Sequence, residues 1–294
     1  MMAGQLEGRV ALVTGASGGI GQQIARVLAA DGATVALVAR AATDAAAARL
    51  EAAATAIRHG GGAARAVPCD VTDEAAVRAM VQRLVGDHGR IDVLVNNAAM
   101  RLDTTILDTS AEAFERIFRV NVFGPFHLWR HVVPIMVRQG RGNVIDVVST
   151  NAEREPFVGM APYRATKVAL TYLSSDLAFE VEALGVAVNA FDPGPIRTAG
   201  TASIRASREQ RYGSGIPYHA QDDVTAIDAA ISWLAARSAA DFSGQVVRRT
   251  EFGRTWGPGA EIAAKASQAS GSATEADGAA AASAEAIAAP ARRA

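Results

Sequence analysis

The chain has one cysteine, Cys69, in 294 residues. A lone thiol excludes an intramolecular disulfide and fits a reducing compartment. An excess of charge of one sign is also missing. Against 29 basic residues stand 30 acidic ones, for a net charge of −1. No long basic block breaks that balance, so no nucleic-acid partner is expected. No apolar run reaches the roughly 20 residues that a membrane-crossing helix needs, so no membrane partner is expected either. Met1 to Val13 lacks the basic region and apolar core of a secretion signal. The expectation is a cytoplasmic globular protein, and a hydrophobic content of 50% allows a sizeable core. No metal ligands are assigned.

What is present is a regular alternation. Short apolar runs fit strands at Arg9–Thr14, Ala33–Ala39, Ala64–Pro68, Ile91–Val95, Asn143–Val148, Val186–Phe191 and Gln245–Arg249. Between them fall helical patterns. The first carries Ile20, Ile24, Val27 and Leu28 at helical spacing and stops at Asp31-Gly32. The next covers about 43–59, and a third is capped by Thr72 or Asp73 and ends near Gly89. Ala111–Val120 and Phe123–Arg138 are read as nearly continuous, with Pro125 and Pro134 as kink positions. Pro162–Leu184 and Asp222–Arg237 complete the set. Strands buried on both faces and separated by helices imply an α/β fold: one Rossmann-type, doubly wound parallel sheet of about seven strands flanked by helices. The domain is expected over 1–258. From 259 to 294 Ala, Ser, Gly, Glu and Thr dominate, and a disordered or partly helical tail is expected.

Thr14-Gly15-Ala16-Ser17-Gly18-Gly19-Ile20-Gly21 joins the first strand to the first helix. Gly15 suits a tight turn, Gly19 close approach to a ligand, and Gly21 close helix packing. The helix N-terminus adds free N–H groups and a positive dipole end for a pyrophosphate. A nucleoside-triphosphate loop would need Gly-Lys-Ser/Thr, and Gly21-Gln22-Gln23 lacks it. A dinucleotide is therefore the expected ligand. At the end of the second strand an acidic residue would accept from the ribose hydroxyls. Arg40 stands there instead, and Asp44 is assigned to a helix cap. An arginine pairs with a 2′-phosphate, which points to NADP(H), with NAD(H) as the alternative.

Tyr163 and Lys167 lie four residues apart, on one face of a helix. An ammonium beside a phenol favours the phenolate, so the pair reads as a tuned general acid/base. Two hydroxyls, Ser149 and Thr150, end the preceding apolar run.

These motifs, in this order, resemble the classical short-chain dehydrogenase/reductase family over about residues 8–253. Thr14-Gly15-x-x-x-Gly19-x-Gly21 is similar to its cofactor loop. Asp70-Val71 resembles the adenine-contacting position. Asn96-Asn97-Ala98-Ala99 is similar to Asn-Asn-Ala-Gly, with Ala99 departing from it. Asn121 matches the family's catalytic asparagine, and Tyr163 and Lys167 match its Tyr-x-x-x-Lys pair. Asp192-Pro193-Gly194-Pro195-Ile196-Arg197-Thr198 resembles the loop that closes over the nicotinamide. The family's serine precedes the tyrosine by thirteen residues, which falls on Thr150; Ser149 is the alternative.

The resemblance implies an oxidoreductase moving a hydride between a nicotinamide and a ketone or secondary alcohol. The implied catalytic set is Asn121, Thr150, Tyr163 and Lys167. Tyr163 would exchange the proton, Thr150 would bond the substrate oxygen, and Lys167 would hold the ribose and lower the tyrosine pKa. Asn121 would anchor a water. The implied cofactor contacts are Gly15, Ser17, Gly18, Gly19, Ile20, Arg40, Asp70, Val71, Asn97, Ala98, Tyr163, Lys167, Pro193, Gly194, Ile196 and Thr198. A cofactor-binding sensor without turnover and a non-redox enzyme on the same scaffold are the rival readings. A small carbonyl or alcohol is the expected partner, and family members commonly form homodimers or homotetramers. Substrate choice is expected in Asn151–Met160, with Glu153, Arg154 and Glu155, and in a lid over Ala199–Tyr218, with Arg205, Arg208, Arg211, Tyr212 and Tyr218, and His219 just beyond. Phe252 to Trp256 is placed near a subunit contact or the substrate mouth.

Overall fold

The computed structural model describes residues 4–149, 158–212 and 220–260. Thr150, the segment 151–157, Tyr218, His219, the tail from 261 and the side chains of Arg205 and Arg208 lie outside the described residues.

Strands β1 (Val10–Thr14), β2 (Thr34–Ala39), β3 (Ala63–Pro68), β4 (Val93–Asn96), β5 (Gly142–Val147), β6 (Val186–Asp192) and β7 (Val246–Arg248) form one sheet. Its order is β3-β2-β1-β4-β5-β6-β7. Every pairing is parallel. Helices α1 (Gly19–Ala30), α2 (Asp44–His59) and α8 (Asp228–Ala235) cover one face, packing Ile24, Leu28, Leu50, Ile57, Ile231 and Leu234 on it. Helices α3 (Glu74–His88), α5 (Gly124–Arg138) and α6 (Ala161–Val181) cover the other with Val77, Leu84, Leu128, Val132, Leu170 and Val181. Both faces of the central strands are thus dry, which is why those strands read as unbroken apolar runs. The expected α/β architecture is present.

Local chemistry sets the helix ends. Thr43 accepts a hydrogen bond from the Ala46 N–H (3.2 Å), so α2 starts one residue later than its pattern. Asp73 caps α3 by accepting from Ala76 N–H (3.0 Å), while Thr72 donates to Asp70. The expected near-continuous helix from 111 to 138 is present: α4 (Ala111–Phe118), a π-helical turn (Arg119–Phe123) and α5 follow one another without a break. Its irregularity is the π turn; Pro125 is the second residue of α5 and Pro134 lies inside that helix. The expected lid is helical over α7 (Ala199–Tyr212).

Trp256 is buried, and Phe252 is half-buried against it. Trp256 is 3% exposed and packs with Phe191, Trp233, Phe242 and Phe252, and its Nε1–H donates to Arg248 O (2.8 Å). Their aromatic bulk fills the space between α8 and β7.

Candidate active site

The strand order reverses between β1 and β4, where a doubly wound sheet opens a crevice at its carboxyl end. Thr14, the last residue of β1, ties that crevice together. Its Oγ1 donates to Val95 O (3.2 Å) and accepts from the Asn97 and Ala98 N–H groups (3.0 Å each). Asn97 Nδ2 donates back to Thr14 O (2.9 Å) and Gly15 O (3.3 Å). Gly15 has φ +66°, and a Cβ there would lie 2.8 Å from Ala98 Cα. A Cβ at Gly21 would lie 2.4 Å from Asn97 Nδ2. Two loops distant in sequence therefore meet with no room for side chains at these two glycines.

Gly18 precedes α1 without any side-chain cap, so the first N–H groups of the helix stay open to an anion. Across the crevice Thr198 Cγ2 is 3.3 Å from where a Gly19 Cβ would stand. Ser17, Gly18, Gly19 and Ile20 line this β1–α1 turn, and Arg40 follows β2 directly. Arg40 is exposed and has no ion-pair partner among the described residues. Asp70 and Val71 follow β3, and Asp70 Oδ1 is held by the Thr72 N–H (3.0 Å) and hydroxyl (2.8 Å). After β6, Gly194 N–H donates to Asp192 Oδ1 (2.9 Å). Ile196 bridges to Asp222, and Thr198 N–H donates to Thr201 Oγ1 (2.8 Å). Arg249, 11% exposed at its side chain, donates from Nε to Pro193 O (2.8 Å) and pairs with Asp222. Apart from Tyr163 and Lys167, the cofactor positions named from the sequence thus follow the carboxyl ends of strands β1, β2, β3, β4 and β6.

Tyr163 and Lys167, the expected acid/base pair, lie on α6. Lys167 is 2% exposed, and its Nζ donates to Val147 O (2.6 Å) at the end of β5. Burial lowers its pKa to about 8, against the pull of Asp146 and Asp192. Lys167 Nζ stands 5.9 Å from the Tyr163 ring centroid. The Tyr163 phenol, half-buried, is shifted upward, because loss of water around it outweighs the nearby cation. That cation is Arg101, whose guanidinium carbon lies 4.9 Å above the ring centroid. The expectation of a lysine-lowered phenol therefore differs from the geometry: Lys167 directs a proton at a backbone carbonyl, and Arg101 is the charge that opposes the rise. Ser149 follows β5 and is half-buried. Thr150 lies outside the described residues.

Asn121 sits in the π turn, fully buried. Its Oδ1 accepts from Met100 N–H (2.7 Å), and its Nδ2 donates to Met100 O (2.9 Å) and Thr166 Oγ1 (2.9 Å). Thr166 Oγ1 donates in turn to Tyr163 O (2.7 Å). The amide thus joins the loop after β4 to the helix that carries Tyr163.

Several residues that contact the site escaped sequence reasoning. Asp146 lies beneath Lys167, completely buried, accepting from Asn96 Nδ2 (2.7 Å), Trp129 Nε1 (3.3 Å) and Ser174 Oγ (2.8 Å). Burial pushes its carboxyl up to about 6 despite those donors and Lys167. The signal was a carboxylate inside the apolar run Val144-Ile145-Asp146-Val147-Val148. Thr166, Arg101 and Arg249 carried no signal of their own.

A glycine turn opening a helix at the switch point of a parallel sheet, beside a buried lysine and a tyrosine, defines a dinucleotide-dependent oxidoreductase. The chain matches the short chain dehydrogenase family over residues 9–209. It is 33% identical over 244 residues to nodulation protein G of Rhizobium meliloti (strain 1021), covering 83% of this chain and 96% of that protein. The fold matches a single-substitution variant of the actinorhodin polyketide ketoreductase solved with NADPH, with a TM-score of 0.75 and 28% identity, covering 84% and 97% of the two chains. It also matches an NAD+-bound xylitol dehydrogenase, with a TM-score of 0.74 and 28% identity, covering 83% and 98%. This chain belongs to the short-chain dehydrogenase/reductase family. It is an NAD(P)-dependent oxidoreductase of CH–OH groups, and no described helix is long and apolar enough to cross a membrane.

Proposed function

We propose that the protein is an NADP(H)-dependent enzyme that interconverts a ketone and a secondary alcohol, with Tyr163 as general acid/base. The observation that carries this reading is Tyr163 and a buried Lys167 on one helix, at the end of the crevice whose far rim is Arg40. The crevice fits the cofactor: its glycines leave no Cβ in the turn, the α1 N-terminus is uncapped, and Arg40 is unpaired among the described residues. When bound, the nicotinamide supplies or accepts the hydride.

The chain's own residues do the rest. Open N–H groups after Gly18 hold the pyrophosphate, Arg40 takes the 2′-phosphate, and Asp70 and Val71 flank the adenine. Pro193, Gly194, Ile196 and Thr198, fixed by Asp192 and Arg249, cover the nicotinamide side. Lys167 holds the ribose. In reduction Tyr163 gives its proton to the carbonyl oxygen as the carbon gains a hydride; in oxidation it takes the alcohol proton. A hydroxyl from Thr150, or from Ser149, bonds the same oxygen. The xylitol dehydrogenase and ketoreductase names support a CH–OH or ketone substrate for this chain.

The working domain is residues 1–258, in a cytoplasmic homodimer or homotetramer. Phe114, Phe123, Phe126, Tyr172 and Phe179 are exposed on α4, the π turn, α5 and α6, an apolar surface that supports self-association. A chain that sediments as a monomer would remove the assembly. The function is tested by a panel of ketones and secondary alcohols assayed with NADPH and NADH. Turnover of ketones preferentially with NADPH is expected; cofactor binding with no turnover of any compound favours a sensor.

A further inference from the structure

Arg101 stands directly beside Tyr163. It belongs to the loop after β4, two residues beyond the Asn97–Ala99 stretch, and its guanidinium lies over the Tyr163 ring at 4.9 Å. The group is permanently charged and presents five donors in a planar fork. Among the described residues that fork is nearly unused. Nη2 reaches Met160 Sδ (3.1 Å), a weak acceptor, and the buried Nε–H meets no acceptor. No acidic side chain among the described residues forms an ion pair with it. The ring face beneath it attracts the cation but accepts no directed hydrogen bond comparable to a carboxylate.

A buried N–H without an acceptor is costly, and such groups in native sites are matched by something. Here the missing partner has a defined chemistry. An anionic, planar acceptor matches the fork best, and it would lie close to the Tyr163 hydroxyl, because the guanidinium stands over the ring that carries that hydroxyl. A second cation borders the same loop: Arg211 of α7 donates to Asp103 O.

We infer that Arg101 is a specificity-determining residue that binds the carboxylate of an oxo-acid or hydroxy-acid substrate whose carbonyl or alcohol carbon lies within a few bonds of that carboxylate. This inference deepens the proposed ketone–alcohol activity and rests on Tyr163 marking where the carbonyl oxygen sits. Arg101 contributes charge and geometry to binding, and the proton and hydride steps remain as described.

The test is calorimetric binding to the protein loaded with NADP+, with which a ketone cannot be reduced. The probes are 3-oxobutanoate and 4-oxopentanoate, each against its methyl ester. Wild type is expected to bind at least one acid more tightly than its ester by roughly 10- to 100-fold, the ratio that a charge-assisted fork supplies. In Arg101→Gln that acid-to-ester ratio falls to about one, and Arg101→Lys restores only part of it, because a point charge lacks the fork. Retained NADP+ binding shows that each variant is folded. Equal binding of acid and ester by wild type, including no binding of either, overturns the inference. So does a ratio that survives in Arg101→Gln. Failure of the parent reading looks different: the acid preference persists in binding while no ketone, acid or neutral, drives NADPH oxidation.

Discussion

Asn121 in the π turn donates to Thr166 Oγ1 at 2.9 Å, and Thr166 donates to Tyr163 O at 2.7 Å. One buried amide therefore sets the position of the helix turn that bears Tyr163, the proposed acid/base. Thr166→Val removes the hydroxyl from both bonds and leaves Asn121 Nδ2 with one partner fewer. Loss of stability by about 1–3 kcal/mol is expected, the usual cost of unpaired buried groups. Turnover should fall with it, and Thr166→Ser should recover both in thermal unfolding and steady-state rates. A valine variant with wild-type stability and rate would show that the link positions nothing.

Arg40 is proposed to sort the two nicotinamide cofactors. It is exposed at the end of β2 and unpaired among the described residues, so its replacement leaves the core untouched. Arg40→Glu should weaken NADPH by roughly 10- to 100-fold, the contribution of a charge-assisted phosphate contact. NADH affinity should hold or improve, since an acid there accepts from the ribose hydroxyls. Fluorescence titration with both cofactors checks this. Tighter binding of NADH than NADPH by the unaltered chain would contradict the assignment.

Asp146 gives the fold a pH dependence. Its carboxyl is pushed up to about 6 from an ordinary 3.8, so the folded state holds the proton more tightly than the unfolded chain. The resulting stabilisation is full below pH ~4 and is lost as pH rises through ~6; a shift of this size corresponds to about 3 kcal/mol. Asp146→Asn removes the titration while keeping an acceptor for Asn96 or Trp129. Relative to this variant, wild type should lose stability between pH ~4 and ~7, measured by urea unfolding across that range. A constant difference at every pH would show that the carboxyl does not titrate there.

The fold was legible because the central strands are dry on both faces. Val10–Thr14 and Thr34–Ala39 each read as strands to within a residue. The glycine turn was equally legible, since Gly15 and Gly21 answer to backbone crowding that few other residues tolerate. Asn121 was named, but its partners could not be, because Met100 and Thr166 meet it only through the π turn. A π turn has no residue pattern distinct from an ordinary helix. Arg101 was silent for a related reason: it gains meaning from a ring 62 residues later in the chain. The mutual packing of Phe252 and Trp256 was not legible, because β7 is short and only the sheet edge brings their aromatic neighbours together.

The most direct measurement replaces Tyr163 with phenylalanine and reads two quantities on one preparation: NADPH affinity and ketone-dependent NADPH oxidation. The phenyl ring keeps the packing beneath Arg101 and loses only the hydroxyl with its exchangeable proton. Affinity should stay within about twofold, while turnover should fall by roughly 100-fold or more, the contribution of a positioned general acid. Near-normal turnover in Tyr163→Phe would contradict the assignment of proton transfer to this residue.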